Sequence, residues 1–450
     1  MANVIALSVL VLVFVISTVR SVNMGALALV AAFVVGTLVF TVDTSEILDG
    51  FPASLFVILV GVTYLFALAR NNGTVDWIIH AAVRAVRGRV ALVPWAMFAV
   101  CAAVTAMGAV SPAAVAIIAP VAMGFATRYR IHPMLMGFMV VQGATAGSFS
   151  PIGIFGVITN DVMRQNGLPS SPALLFVSTF AAAAVVAAIA YVSFGGRALI
   201  ARGASERVLV SAVGNAVGNA SGGGDTITGS GSGDSSKGGG KSSGGTAPHE
   251  GALNLERRLT LLGLASLALG ALVFDLDVGF TALTVAVLLT LIFPASARGA
   301  VDKISWGTVL LIGGIVTYVA LLQNQNTVQW LGDSVAHVGI PLLAAFLICL
   351  IGAIVSAFAS TTGILGALIP LAIPFLMTGQ VNATGLVIAL AISSSLVDCS
   401  PFSTNGALVV ANAAPEERDV VFGLTMRWGM TIMVVTPILA WLLFVVPWSV

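Results

Sequence analysis

Charge is scarce in this chain. Only 8% of its 450 residues are Asp, Glu, Lys or Arg, against roughly 25% in a soluble domain. The net charge is +1 and no basic patch stands out, so nucleic acid is not an expected partner. Cysteine is almost missing. Cys101, Cys349 and Cys399 all fall inside apolar stretches, which argues against a disulfide framework. The histidines, His80, His132, His249 and His337, are scattered without ligand spacing, so neither a metal centre nor another cofactor is expected. No apolar run combines His, Glu or Cys into a nucleophile–base pair, which argues against an enzyme.

Apolar length is abundant instead. The chain is 58% hydrophobic with a mean hydropathy of +1.06, and runs of membrane-spanning length recur from end to end. These features predict an all-α polytopic membrane protein with the lipid bilayer as its surroundings. Residues 1–19 lack a positive leading segment and a small-residue cleavage site, so they read as a first transmembrane helix rather than a signal peptide.

The same landmarks occur twice, about 250 positions apart. Val62-Thr63-Tyr64 recurs as Val316-Thr317-Tyr318, Pro120-Val121-Ala122 as Pro370-Leu371-Ala372, and Ser150-Pro151 as Ser400-Pro401. Between the copies, residues 203–251 are dominated by Gly, Ser, Asn and Thr and have little to bury, the composition of a flexible, disordered linker. The expected organisation is an N-terminal repeat at 1–202, the linker, and a C-terminal repeat at 252–450. Each repeat would hold a re-entrant hairpin (91–126 and 340–378) and a broken helix (134–163 and 383–412). If each hairpin enters and leaves on one side, each repeat crosses the membrane five times, and the second lies inverted relative to the first. The positive-inside rule supports that topology. With the linker in the cytoplasm and both termini outside, 17 of the 19 Lys and Arg fall inside, Arg427 sits near the inner end of the last span, and only Arg164 faces outward. The amphipathic stretches 74–90 and 323–338 read as interfacial.

Paired interrupted helices in two halves of a membrane chain point to a transporter whose site lies between the repeats. Ser111-Pro112, Ser150-Pro151 and Ser400-Pro401 each pair a favoured N-cap with a proline suited to the first helical position. The fourth break, Ser360-Thr361-Thr362-Gly363, offers three hydroxyls. Helix starts converging at one point bind anions through backbone N–H groups without Lys or Arg. The expected substrate-binding residues are Ser111, Pro112, Ser150, Pro151, Gly153, Ser360, Thr361, Thr362, Ser400, Pro401, Ser403, Thr404 and Asn405, with Asn405 read equally well as a cap or a ligand. The upstream halves of the broken helices end in free carbonyls suited to a small cation. Gly108, Gly147, Ser148, Gly363 and Asp398 are the expected cation-binding residues, Asp398 being the acidic one, with Ser148 as its counterpart in the first half.

The run Ser148-Phe149-Ser150-Pro151-Ile152-Gly153-Ile154-Phe155-Gly156, continuing through Asn166-Gly167-Leu168-Pro169, resembles the MatC-type dicarboxylate carriers. The architecture is similar to the divalent anion/sodium symporters. That resemblance implies an elevator-type carrier in the cytoplasmic membrane, with a homodimeric scaffold, small dicarboxylates (malonate, succinate or malate) as substrate, and sodium as the coupling ion. The symporters carry Ser-Asn-Thr at each hairpin tip, where Ser111-Pro112-Ala113 and Ser360-Thr361-Thr362 stand here. A proton-coupled carrier or an oxyanion exporter of the same superfamily remains the alternative reading, with a channel or a membrane-embedded enzyme more remote.

Overall fold

The computed structural model describes residues 1–20, 22–86, 89–201, 253–274, 276–327, 330, 341–358, 361–377 and 380–448. The expected linker 203–251, most of the second amphipathic stretch, and Ser360 lie outside the described residues.

Every regular element among the described residues is helical. The first half runs α1 (Ala2–Val19), α2 (Met24–Leu38), the short α3 (Thr44–Asp49), α4 (Ala53–Asn71), α5 (Thr74–Ala85), α6 (Val93–Ala106), α7 (Ser111–Tyr129), α8 (Pro133–Ser148), α9 (Ile154–Gln165), α10 (Pro172–Ser193) and the short α11 (Gly196–Ala201). The second half runs α12 (Leu255–Val273), α13 (Val278–Ile292), the short α14 (Pro294–Ala297), α15 (Trp306–Asn324), α16 (Pro341–Phe358), α17 (Thr361–Met377), α18 (Ala383–Ser395), α19 (Thr404–Ala411) and α20 (Arg418–Phe444). Polar residues at the starts explain several boundaries. The side chain of Asn23 accepts from the N–H groups of Gly25 and Ala26, Asp277 from Phe280, and Asn382 from Gly385, each satisfying donors that a first helical turn leaves open.

Among the described residues, six helical stretches are long and apolar enough to cross a membrane, at 53–71, 111–129, 172–193, 306–324, 383–411 and 418–444. Shorter apolar helices, including α2, α13 and α16, accompany them. Val177, Val185 and Ile189 on α10, and Val434, Leu439 and Leu443 on α20, are exposed. An apolar surface of that extent suits lipid rather than water. In contrast, the stretch 383–411 is almost wholly buried, so the second broken helix lies at the centre of the molecule.

The packing between the halves is reciprocal. Within each half, the first hairpin arm lies on the first part of the broken helix, α6 on α8 and α16 on α18, and that part also packs on the last long helix, α8 on α10 and α18 on α20. Between halves, α2 packs on α15 while α4 packs on α13, and α7 packs on α19 while α9 packs on α17. Glycine permits the closest crossing. A Cβ on Gly314 would sit 1.9 Å from the carbonyl oxygen of Gly25, so α15 and α2 meet backbone to backbone. Tyr318, fully buried, fastens α1 to the same group by donating to the carbonyl of Ala6 at 2.8 Å.

Candidate functional site

The site forms where hairpin arms and broken helices of both halves meet. In the second half, α18 ends at Ser395 and a 3-10 turn, Leu396–Cys399, carries Asp398 into the centre of the protein. Asp398 is 5% exposed and Asn405 fully buried. The Asn405 Nδ2 donates to Asp398 Oδ2 and to Ser111 Oγ, each at 2.7 Å. One amide therefore joins the acidic turn of the second half to the first turn of α7 in the first half. The hydroxyls of Ser403 and Thr361 and the backbone N–H of Asn405 also reach the Asp398 carboxyl. Thr361, at the start of α17, shares a hydrogen bond of 2.9 Å with Ser356 on α16. The starts of α17 and α19 thus meet at one carboxyl group, to which the start of α7 is joined through Asn405, and the partial positive charge of helix starts stabilises negative charge there.

Several expected roles change. Ser111 is the first residue of α7 rather than its N-cap; Val110 holds the cap position, and the Ser111 hydroxyl accepts from Asn405. Pro112 follows in the first turn, as the N-terminal preference of proline allows. Ser150-Pro151 and Ser400-Pro401 do not start helices. Ser150 O accepts from Gly153 N at 2.9 Å and Ser400 O from Ser403 N at 3.0 Å, so each Ser-Pro pair opens a β-turn with proline at its second position. The helices begin later, at Ile154 behind the cap Gly153 and at Thr404 behind the cap Ser403. Proline's fixed φ suits the second position of a β-turn as well as a helical first turn, and here the Gly153 and Ser403 N–H groups bond back to the serine carbonyls and make the turn. Ser403 caps α19 by accepting from Gly406 N at 3.2 Å and also donates to the carbonyls of Asp398 and Ser400, both at 2.7 Å. Asn405 is therefore a connector, not a cap. Thr404 is exposed at the first helical position.

In the first half the break is closed differently. Ser150 Oγ donates to the carbonyl of Ala106 at 2.8 Å, tying the turn to the end of the first hairpin arm. Gly108, inside that hairpin break, has φ +101°, a conformation that glycine adopts without strain. Gly147 lies against α6, where an added Cβ would fall 2.0 Å from the Ala102 carbonyl oxygen, and its own carbonyl accepts from Ser150 N at 3.0 Å. Ser148 donates to the Ala144 carbonyl at 2.7 Å. Among the described residues, no hydrogen bond joins Gly108, Gly147 or Ser148 to the Asp398 cluster. Gly147 allows close packing on α6, and Gly108 makes the turn. Gly363 lies in the first turn of α17; Ser360 and the side chain of Thr362 lie outside what is described.

Two cavities flank this centre. One of about 300 Å³ reaches Pro151 from the side of α4 and α9. The other, about 810 Å³, opens at the opposite ends of α7 and α8, beside His132, Glu416 and Glu417.

Comparison with known proteins adds to this geometry. Residues 1–148 match the family described as the dicarboxylate carrier protein MatC N-terminus. Residues 269–450 match the citrate transporter family. A membrane protein of Cupriavidus necator is 31% identical over 170 residues, covering 31% of this chain and 33% of that protein. The match thus spans about a third of the relative's length. The chain resembles carriers of the divalent-anion symporter type in both halves. The first matched segment ends at Ser148, the last residue of α8, just before the Ser150-Pro151 turn. The second contains the whole Asp398–Asn405 cluster.

Two further features of this centre escape a reading by motif. Gln142, fully buried on α8, extends Nε2 to the Leu396 carbonyl at 3.4 Å, while its Oε1 and the Oδ1 of Asn405 have no hydrogen-bond partner among the described residues. An isolated amide within the apolar run of α8 was the available signal. Ser356, the partner of Thr361, is a lone hydroxyl in α16, and nothing in its local sequence sets it apart.

Proposed function

We propose that this chain is a secondary active carrier for small dicarboxylates, such as malonate, succinate or malate, in the cytoplasmic membrane. Uptake is coupled to sodium and proceeds by an elevator motion of the hairpins and broken helices past the remaining helices. The reciprocal pairing of the halves supports two inverted repeats of five crossings each. The observation that carries the reading is the Asp398 carboxyl, buried where the starts of α17 and α19 meet and joined through Asn405 to the start of α7 in the other half.

That arrangement implies an order of binding. The helix starts form an anion site, and the anion nearest to them is the protein's own Asp398. Among the described residues the ion pair found is Arg164–Asp161, so no basic side chain offsets Asp398. An unpaired charge at this depth is costly, and an incoming carboxylate adds repulsion. A cation must therefore neutralise Asp398 before or together with the substrate. Carboxylate, amide and hydroxyl oxygens are the hard ligands that a sodium ion takes, and Asn405 Oδ1 is available as another. In the second reading a proton taken from the aqueous side neutralises the same carboxyl, while the neighbouring amide and hydroxyls only hydrogen-bond to it. Citrate belongs among the candidates because the Asp398 half matches the citrate transporter family.

A thermal-shift screen of the purified chain against malonate, succinate, malate and citrate, with sodium or choline at fixed pH, tests the proposal. Ligand at 100 times its Kd stabilises the folded state by about 2.7 kcal/mol. Stabilisation by a dicarboxylate that requires sodium supports the first reading. Stabilisation that depends on pH alone supports the second. No stabilisation by any carboxylate under either condition contradicts both.

A further inference from the structure

The cavity of about 300 Å³ beside Pro151 contains a charged group that the central site does not use. Its walls come from Ile58 on α4, the Pro151 turn, Asn160, Asp161 and Arg164 on α9, and Ser170 ahead of α10. Arg164 Nη2 meets Asp161 Oδ1 at 2.6 Å; the Arg164 side chain is 63% exposed and that of Asp161 3% exposed. Asp161 is itself fixed, accepting from Ser54 Oγ at 2.9 Å and from Gln165 Nε2 at 2.6 Å. The guanidinium is thus anchored through one nitrogen, and its other N–H donors have no partner among the described residues. A fork with free donors, held in place at the mouth of a cavity, matches the geometry of a carboxylate. The volume lies at the small end of ligand pockets, as a small diacid requires.

We propose that this cavity is an outer loading subsite for the carboxylate substrate, in which Arg164 takes one carboxylate and Asp161 is the positioning residue that aims it. The inference rests on the carrier reading above. An anion held there sits beside Pro151 and so next to the turn whose Ser150 hydroxyl is bonded to the first hairpin arm. On the topology expected from charge segregation Arg164 faces outward, where it is the local source of attraction for an approaching dianion. A purely structural role is the competing explanation, because Arg164 lies in the last turn of α9 and complements the helix dipole. That role needs the charge and the ion pair but predicts no change in substrate KM.

The test uses the full chain in liposomes carrying Arg164→Cys. The native Cys101, Cys349 and Cys399 are buried, so methanethiosulfonate reagents reach the introduced thiol selectively. The proposal predicts that the substitution raises KM for the transported dicarboxylate roughly three- to tenfold, allowing for the exposure of the group, with kcat little changed. An aminoethyl reagent, which restores positive charge, returns KM towards wild type, and a sulfonatoethyl reagent raises it further. Unchanged KM with both reagents, or a fall in kcat and thermal stability at constant KM, overturns the proposal. If that variant does not fold, Arg164→Lys keeps the charge but not the fork; a KM raised about threefold supports the subsite, and an unaltered KM overturns it. If the wild-type chain moves no carboxylate, the carrier reading fails and takes this subsite with it. Wild-type transport with unaffected variants removes the subsite alone.

Discussion

Replacing Asp398 by asparagine should separate substrate binding from cation binding. In the wild-type chain the Asn405 Nδ2 lies 2.7 Å from both Asp398 Oδ2 and Ser111 Oγ. A substrate carboxylate that takes the Ser111 end of this network therefore sits one amide away from the Asp398 charge. Two carboxylates about 6 Å apart repel by roughly 2–3 kcal/mol at an effective dielectric of about 20, a factor of roughly 30 to 150 in affinity. Under the proposed coupling, the cation removes that penalty in the wild type. Asp398→Asn keeps the shape and removes the charge, so substrate affinity without the cation should rise by up to that factor, and the dependence on sodium or pH should flatten. Isothermal titration of the detergent-purified variant with the transported dicarboxylate, with and without the coupling ion, measures both terms. Gradient-driven uptake should be lost at the same time, because no ion then moves inward with the substrate. If the variant folds and still binds substrate with the wild-type cation dependence, Asp398 is not the coupling group and the reasoning is refuted.

Asn405→Ala removes the Oδ1 offered to the cation along with the links to Asp398 and Ser111; a polar contact to a charged group contributes about 1.5–3 kcal/mol, so cation affinity by titration should weaken roughly 10- to 150-fold, and an unchanged affinity counts against the cluster. Ser111→Ala in the same background should add less than it does alone, since both residues act in one network. Gly147→Ala forces a methyl against the backbone of α6, where the Ala102 oxygen would be 2.0 Å away. It should cost about 1–3 kcal/mol in thermal denaturation, whereas Gly124→Ala, which meets nothing within 4 Å, serves as the neutral control. His132, in the connection between α7 and α8, caps α8 by accepting from Met134 N at 3.2 Å. Burial holds its pKa below the usual histidine value, outweighing the opposite pull of Glu417. The neutral, capping form is thus favoured on folding, and its contribution is complete above about pH 6.5 and lost as the pH falls below it. His132→Asn keeps an acceptor and should reduce the loss of melting temperature on acidification; an identical acid profile would show that the cap is not responsible.

Much of this organisation can be read from composition and periodicity because a bilayer leaves few choices. Apolar runs become helices, and interruptions such as 107–110 and 396–403 survive only inside protein. The Ser-Pro pairs are where that reading went astray. Serine followed by proline is favoured both at a helix start and at the opening of a β-turn, and only the hydrogen bonds to Gly153 N and Ser403 N decide between them. Asp398 was visible as an acid within an apolar run. Its link through Asn405 to Ser111, 294 positions away, depends on how the halves pack and leaves no local mark. The same holds for Asp161 and Ser54, which come from separate helices to hold Arg164.

The most direct test of the carrier reading is flux. The purified wild-type chain in sealed liposomes should take up labelled malonate, succinate, malate or citrate saturably and against its gradient when sodium or protons are driven inward. Asp398→Asn should abolish that accumulation while remaining folded. Failure of the wild type to move any of these acids under every imposed gradient, or accumulation by Asp398→Asn equal to wild type, would contradict the account.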